Sequence, residues 1–320
     1  METTIIISKL NIMSIMKFGI LTIGFGYMLF LIFLACIFLT SYLVKLITRR
    51  TIRLSSMKNK WAIILCNFDP ISIAIIKYFY RRGINIYIIS DNNCKYEQFK
   101  NFKFDIYFGA KNKILLYFIN DYKLFDNLLQ SINKLEDIMY FIVNYSAYHM
   151  TEIVMDFNNC LKSDKMIMTN FSNKLKIIAR LSKFAITKFE QDKRGILLLF
   201  SSLTSIQPCP YLSLNSSYNC FIDYLGRSLY VENKYKKITI LTVKPIILPK
   251  YENNIKFLLP DEMSYVKNII KQACYSERST AYCLYNIIWW VSWQFRNWNK
   301  VLLVELNTKF VKIILGSVER

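Results

Sequence analysis

WAIILCNFDPISIAIIKYFYRRGINIYIIS, spanning residues 61–90, carries the signals of a strand, a tight turn, a helix and a second strand. WAIIL (61–65) and INIYIIS (84–90) are short runs that are apolar nearly throughout, as strands covered on both faces are. Between them Asp69 is placed to cap a helix, and Pro70 suits its first position. The turn has no glycine. A strand-to-helix turn that holds a nucleotide's phosphates needs backbone clear of side chains, so the shape of such a site is present here without its usual means of approach.

Outward from this stretch the same rhythm continues. KFDIYF (103–108), DIMYFIV (137–143), GILLLFSS (195–202) and ITILTV (238–243) are further apolar runs, with helical stretches between them. Strands alternating with helices predict an α/β fold, a doubly wound parallel sheet of Rossmann-like form. The simplest partition has an N-terminal tail at 1–17, an apolar segment at 18–44, a basic linker at 45–60, one domain at 61–290 and an amphipathic, membrane-associated end at 291–320. AYCLYNIIWWVSWQF (281–295) reads either as an interfacial segment or as a last buried strand running into a core helix.

Residues 18–44 are 27 residues without a charge, more than the roughly 20 needed to cross a bilayer as a helix. Arg49 and Arg50 follow, a poor context for signal cleavage, so an uncleaved anchor is expected. Lys45, Arg49, Arg50, Arg53, Lys58 and Lys60 outnumber the upstream Lys9 and Lys17, which places the domain in the cytosol by the positive-inside rule. The net charge is +20, but Lys and Arg are scattered along the sequence, so nucleic acid is not expected as a partner. Eight cysteines form no CxxC pair, as free thiols in a reducing compartment do, and His149 is the single histidine, so no metal site is expected.

The order of these segments resembles the membrane-anchored short-chain dehydrogenases of the 17β-hydroxysteroid dehydrogenase and very-long-chain 3-oxoacyl-CoA reductase group. RRGINIYIIS resembles the family's first helix end and second strand, and KRGILLLFSS the strand that delivers its serine. PYLSLNSSYNCFIDYLGRSLYVE resembles the catalytic helix, ILTVKP the strand behind the nicotinamide, and LPDEMSYVKNII the substrate region. The resemblance implies the fold above and an oxidoreductase acting on a keto or hydroxyl group. It also implies a membrane location, the endoplasmic reticulum first and the mitochondrion second.

Carried over residue by residue, the family's motifs depart from this chain. Its phosphate turn, T-G-x-x-x-G-x-G, falls on LCNFDPIS, so the three glycines become Cys66, Pro70 and Ser72. Asp91 would favour a ribose hydroxyl over a 2′-phosphate, and otherwise reads as a turn residue. Asn144 matches the N-N-A-G segment, whose glycine is absent. Ser202 matches the family's serine. Asn215 stands where the tyrosine should transfer a proton, Asn219 where the lysine should tune it, and Lys174, beside Asn173, near the assisting asparagine. An amide does not ionise near neutral pH and cannot act as a general acid. Tyr211 and Tyr218 are nearby hydroxyls, of which Tyr218 is expected to point off the face of Asn215.

Two readings follow. In one the chain is a catalytically degenerate member that binds a lipid or a protein partner, with no cofactor expected. In the other it reduces a steroid or long-chain 3-oxoacyl keto group with NADP or NAD. The membrane is a partner in both, and a homodimer is compatible with both.

Overall fold

A computed structural model of the chain describes residues 2–47, 58–90, 113–119, 125–145, 164–206, 208–209, 212–245, 261–273, 276–282 and 286. The expected strand at 103–108, the residues Asp91, His149 and Tyr211, and nearly all of 281–320 lie outside them. The chain divides into two units, Met1–Arg50 and Thr51–Arg320.

The first unit is one helix, α1 (Glu2–Ile47), so the expected tail at 1–17 is helical from its second residue. Within it Lys17–Ile37 has a mean hydropathy of 2.5 and is long and apolar enough to cross a membrane. None of its described side chains is buried; Phe18 is 71% and Ile23 76% exposed. The hydroxyls of Thr22 and Thr40 donate back to carbonyls three and four residues earlier, at 2.9–3.0 Å, and so are satisfied without water.

The second unit is built on a seven-stranded sheet of order β3-β2-β1-β4-β5-β6-β7, with every pair parallel. Its strands are β1 (Trp61–Cys66), β2 (Asn85–Ser90), β3 (Ile114–Phe118), β4 (Ile138–Asn144), β5 (Gly195–Phe200), β6 (Ile238–Val243) and β7 (Arg278–Ser279). The helices are α2 (Pro70–Tyr80), α3 (Phe125–Asn133), α4 (Asp164–Gln191), α5 (Ser213–Glu232) and α6 (Glu262–Gln272). The doubly wound expectation is met. The edge strands β3 and β7 are additions to the sequence reading.

Alternation along the strands divides their side chains between two cores. Ala62, Ile64 and Cys66 of β1 face α2 and α6, meeting Ile76, Phe79, Val266 and Ile269. Ile63 and Leu65 face the other way, toward Leu128 of α3, Ile178 and Leu181 of α4, and Ile222 of α5. Burial on both faces is why these strands carry no polar alternation. Each fully buried Ile or Leu contributes about 1.5–3 kcal/mol relative to exposure. Gly83 and Gly226 are among the glycines that geometry requires. Gly83, at φ 77°, turns the chain from α2 into β2, and a Cβ on Gly226 would overlap the Thr242 hydroxyl where α5 rests on β6.

Candidate functional site

The chain runs outward from β1 to β3 and then returns to β4 on the other side, so the strand order reverses between β1 and β4. In open α/β sheets the crevice at such a reversal, beyond the carboxyl ends of the strands, is where ligands bind. Cys66 ends β1 and Asn144 ends β4, and the two are partners in register.

The turn between β1 and α2 closes on itself. Cys66, Asn67, Phe68 and Asp69 are all buried, at 0–6% exposure. Phe68 has φ 54°, in the left-handed region that costs a non-glycine residue roughly 1–2 kcal/mol. Burial of its ring in the first core offsets that strain. Asp69 caps α2 as expected, accepting from the Ser72 N–H at 3.4 Å. The Ser72 hydroxyl donates to the same carboxylate. The Asn144 amide donates to both Asp69 oxygens, at 3.0 and 3.2 Å, and to the Ser72 hydroxyl at 2.8 Å. Burial raises the Asp69 carboxyl above its ordinary value, although these hydrogen bonds act in the opposite direction. Two of the positions expected to replace family glycines follow Asp69 in the chain: Pro70 offers no N–H, and Ser72 is tied into the knot.

At the end of β5 a second network joins three more of the expected residues, Ser202, Asn215 and Asn219. Helical spacing puts Asn215, Asn219 and Asp223 on one face of α5, one turn apart. The Asn219 amide nitrogen donates to the Asn215 carbonyl oxygen at 3.0 Å and to the Thr204 hydroxyl at 3.1 Å. The Thr204 N–H donates to the Ser202 hydroxyl at 3.3 Å, and the Ser201 hydroxyl donates to the Asn219 backbone carbonyl at 2.7 Å. Ser202, Thr204, Asn219 and Asn215 thus form one continuous chain of neutral groups. Within it, the Asn219 side-chain oxygen is buried and accepts from no group among the described residues.

Lys174 is drawn elsewhere. Its ammonium lies 5.4 Å from the centre of the Tyr145 ring. Tyr218, buried against the second core, donates its hydroxyl to the Tyr145 carbonyl at 3.2 Å. It therefore points away from Asn215, as the helical period anticipates. Cys209 lies near this end of the sheet, and burial pushes its thiol up to about 11, so it stays protonated and unreactive near neutral pH.

Thr204 and a third cluster escaped the sequence reading. Asp223 holds the Lys244 ammonium at 3.1 Å and the Arg278 guanidinium at 3.4 Å, with Lys244 only 3% exposed. The one local sign was a lysine closing the apolar run ITILTVK. Among the described residues no group of His, Cys, Asp and Glu could hold a metal ion.

No family model matches the chain. It is 25% identical over 216 residues to the very-long-chain 3-oxoacyl-CoA reductase of Anas platyrhynchos, covering 66% of this chain and 67% of that protein. It is 23% identical over 186 residues to the 17-beta-hydroxysteroid dehydrogenase type 3 of Danio rerio, covering 58% of this chain and 60% of that one. Among solved structures, a 7beta-hydroxysteroid dehydrogenase superposes with a TM-score of 0.62 at 11% identity, covering 80% of this chain and 99% of that chain. The structural likeness speaks to the fold.

Proposed function

We propose that this chain, a short-chain dehydrogenase/reductase of the 17β-hydroxysteroid dehydrogenase and very-long-chain 3-oxoacyl-CoA reductase group, is a catalytically degenerate, membrane-bound member that works by binding a lipid or a protein partner. The observation that carries this reading is the Asn219–Asn215 hydrogen bond. Where the family's resemblance calls for a proton donor and a cation to tune it, two amides share a hydrogen bond. Neither ionises near neutral pH, and general acid catalysis of this kind is worth typically 10²- to 10⁴-fold, or roughly 3–5 kcal/mol of barrier.

The residues present do not fit a dinucleotide. A pyrophosphate needs free backbone N–H groups at a helix start. Here the Ser72 N–H is taken by Asp69, and Pro70 has none to give. The buried Asp69 side chain, bonded to Ser72 and Asn144, also fills the turn where the phosphates would lie. A membrane anchor at α1 is supported by its length and hydropathy; the endoplasmic reticulum is the compartment we propose for it. The second reading, an NAD(P)-dependent reductase of a steroid or long-chain 3-oxoacyl group, is favoured by one feature, the retained Ser202 hydroxyl at the end of β5.

Calorimetric titration of the purified full-length chain with NADH and with NADPH separates the two readings. Binding weaker than about 1 mM is expected. The double replacement Asn215→Tyr with Asn219→Lys is expected to leave reductase activity near background, because the turn at 66–72 stays closed. A micromolar dissociation constant for either nucleotide on the unaltered chain would replace the first reading with the second.

A further inference from the structure

We propose that the end of the sheet at which the strands begin is a second, electrostatic membrane-binding surface, which lays the folded domain on anionic phospholipid headgroups. The proposal rests on the anchor reading of α1 and holds whether or not the site turns over.

In an all-parallel sheet every segment that leads into a strand comes to the same end. Six such segments precede β1 to β6: residues 58–60, 81–84, 113, 134–137, 190–194 and 232–237. Together they hold eleven Lys or Arg against five Asp or Glu. Lys58, Arg81, Lys113, Lys134, Lys193 and Lys237, one from each segment, are all exposed. The acids there are partly committed: Asp137 serves both Arg194, at 2.9 Å, and Lys60, at 3.9 Å, and Glu190 pairs with Lys236. Among the described residues following β1 to β6, in 66–70, 119, 145, 201–212 and 244–245, only Asp69 and Lys244 are charged, and both are buried. Residues scattered in the sequence are thus gathered by the topology onto one end.

Two observations favour lipid as the occupant. In the sequence, Arg49, Arg50 and Arg53 stand between α1 and Lys58, the first described residue ahead of β1. Second, Tyr235 is 96% exposed among Lys234, Lys236 and Lys237, an uncovered aromatic beside cations. That composition suits the headgroup layer, where amphipathic rings settle and each basic residue gains from anionic lipid.

The test uses the full-length chain in nanodiscs of phosphatidylcholine, alone or with phosphatidylserine. Trypsin cleavage is followed at Arg81 and Arg194, with Lys267 and Lys271 of α6 as the internal reference. Anionic discs should slow cleavage at the basic end, relative to the reference, by roughly tenfold, and salt near about 1 M should remove the protection. Combined replacement of Lys58, Lys113, Lys134, Lys193 and Lys237 by Gln should abolish it; if that variant does not fold, the salt series decides. Equal relative rates in the two kinds of disc overturn the proposal. Stronger protection by a single-stranded RNA in neutral discs than by anionic lipid also overturns it, and assigns the surface to nucleic acid.

Discussion

Lys244 would be charged in water at neutral pH, yet it is held 3% exposed between β6 and α5 with Asp223 as its counter-ion. Burial lowers its pKa to about 8, a shift opposed by Asp223 and reinforced by Arg278 and Arg227. Between about pH 8 and the ordinary 10.5 the unfolded chain keeps a proton that the folded one has lost. Unfolding then takes up a proton, so this group adds stability as pH rises through that window, on the order of 3 kcal/mol in all. Denaturant melts of wild type and Lys244→Met at pH 7.5 and 10 should show the wild type gaining on the variant; a pH-independent difference would refute this. Asp69 behaves in the opposite sense. Its carboxyl is raised by burial above 3.8, so the folded state keeps its proton after the unfolded state has released it. Stability from this group is therefore greatest in acid and falls as pH rises. Asp69→Asn has no such group, and the wild type's stability relative to the variant should decline as pH rises above the ordinary carboxyl value of 3.8. Each ionisable residue was visible in the sequence, but its burial and its partners were not: Asp69 and Asn144 meet across 75 residues.

At the scale of elements, α5 sits where it does because Gly226 lets it touch β6. A methyl group there meets the Thr242 hydroxyl, with Leu199 of β5 at 3.3 Å, and both neighbours are fully buried, so any shift must be taken up in the core. Gly226→Ala should therefore destabilise the domain by about 1–3 kcal/mol, even though alanine is the better helix former. A thermal midpoint unchanged or raised would show that α5 can slide outward. The same close approach sets the Ser201 bond to the Asn219 carbonyl, so the variant should also loosen the Ser202–Asn215 network. The helix itself was legible through its resemblance to the family's catalytic helix. That its face carrying Asn215, Asn219 and Asp223 turns toward β5 and β6 was settled by which residue could be omitted at the contact. The edge strand β3 (Ile114–Phe118) was missed for a related reason. It is only half covered, and its run ILLYF was no stronger a strand signal than KFDIYF upstream.

For the whole molecule, the anchor and the basic end make one prediction about topology. The positively charged residues that follow α1 should retain the domain in the cytosol. Protease added to sealed microsomes should digest residues 58–290 and leave a fragment of α1, whereas full protection of the domain would reverse the orientation. The sequence by itself determined what depends on near neighbours. Apolar runs marked β1, β2, β4, β5 and β6, Asp69 and Pro70 began α2, and the uncharged stretch within α1 announced itself by length. The expectation that Cys66, Pro70, Ser72, Asn215 and Asn219 replace family residues also came from the sequence, because a colinear resemblance assigns positions without needing contacts. Only the tertiary structure decided what those residues do instead. A parallel sheet joins segments tens of residues apart, so the Asp69–Ser72–Asn144 knot, the Asp223–Lys244–Arg278 cluster and the basic end all arise from where the chain returns. Distance along a chain does not encode distance in space, and the energies of buried hydrogen bonds and charges depend on the latter.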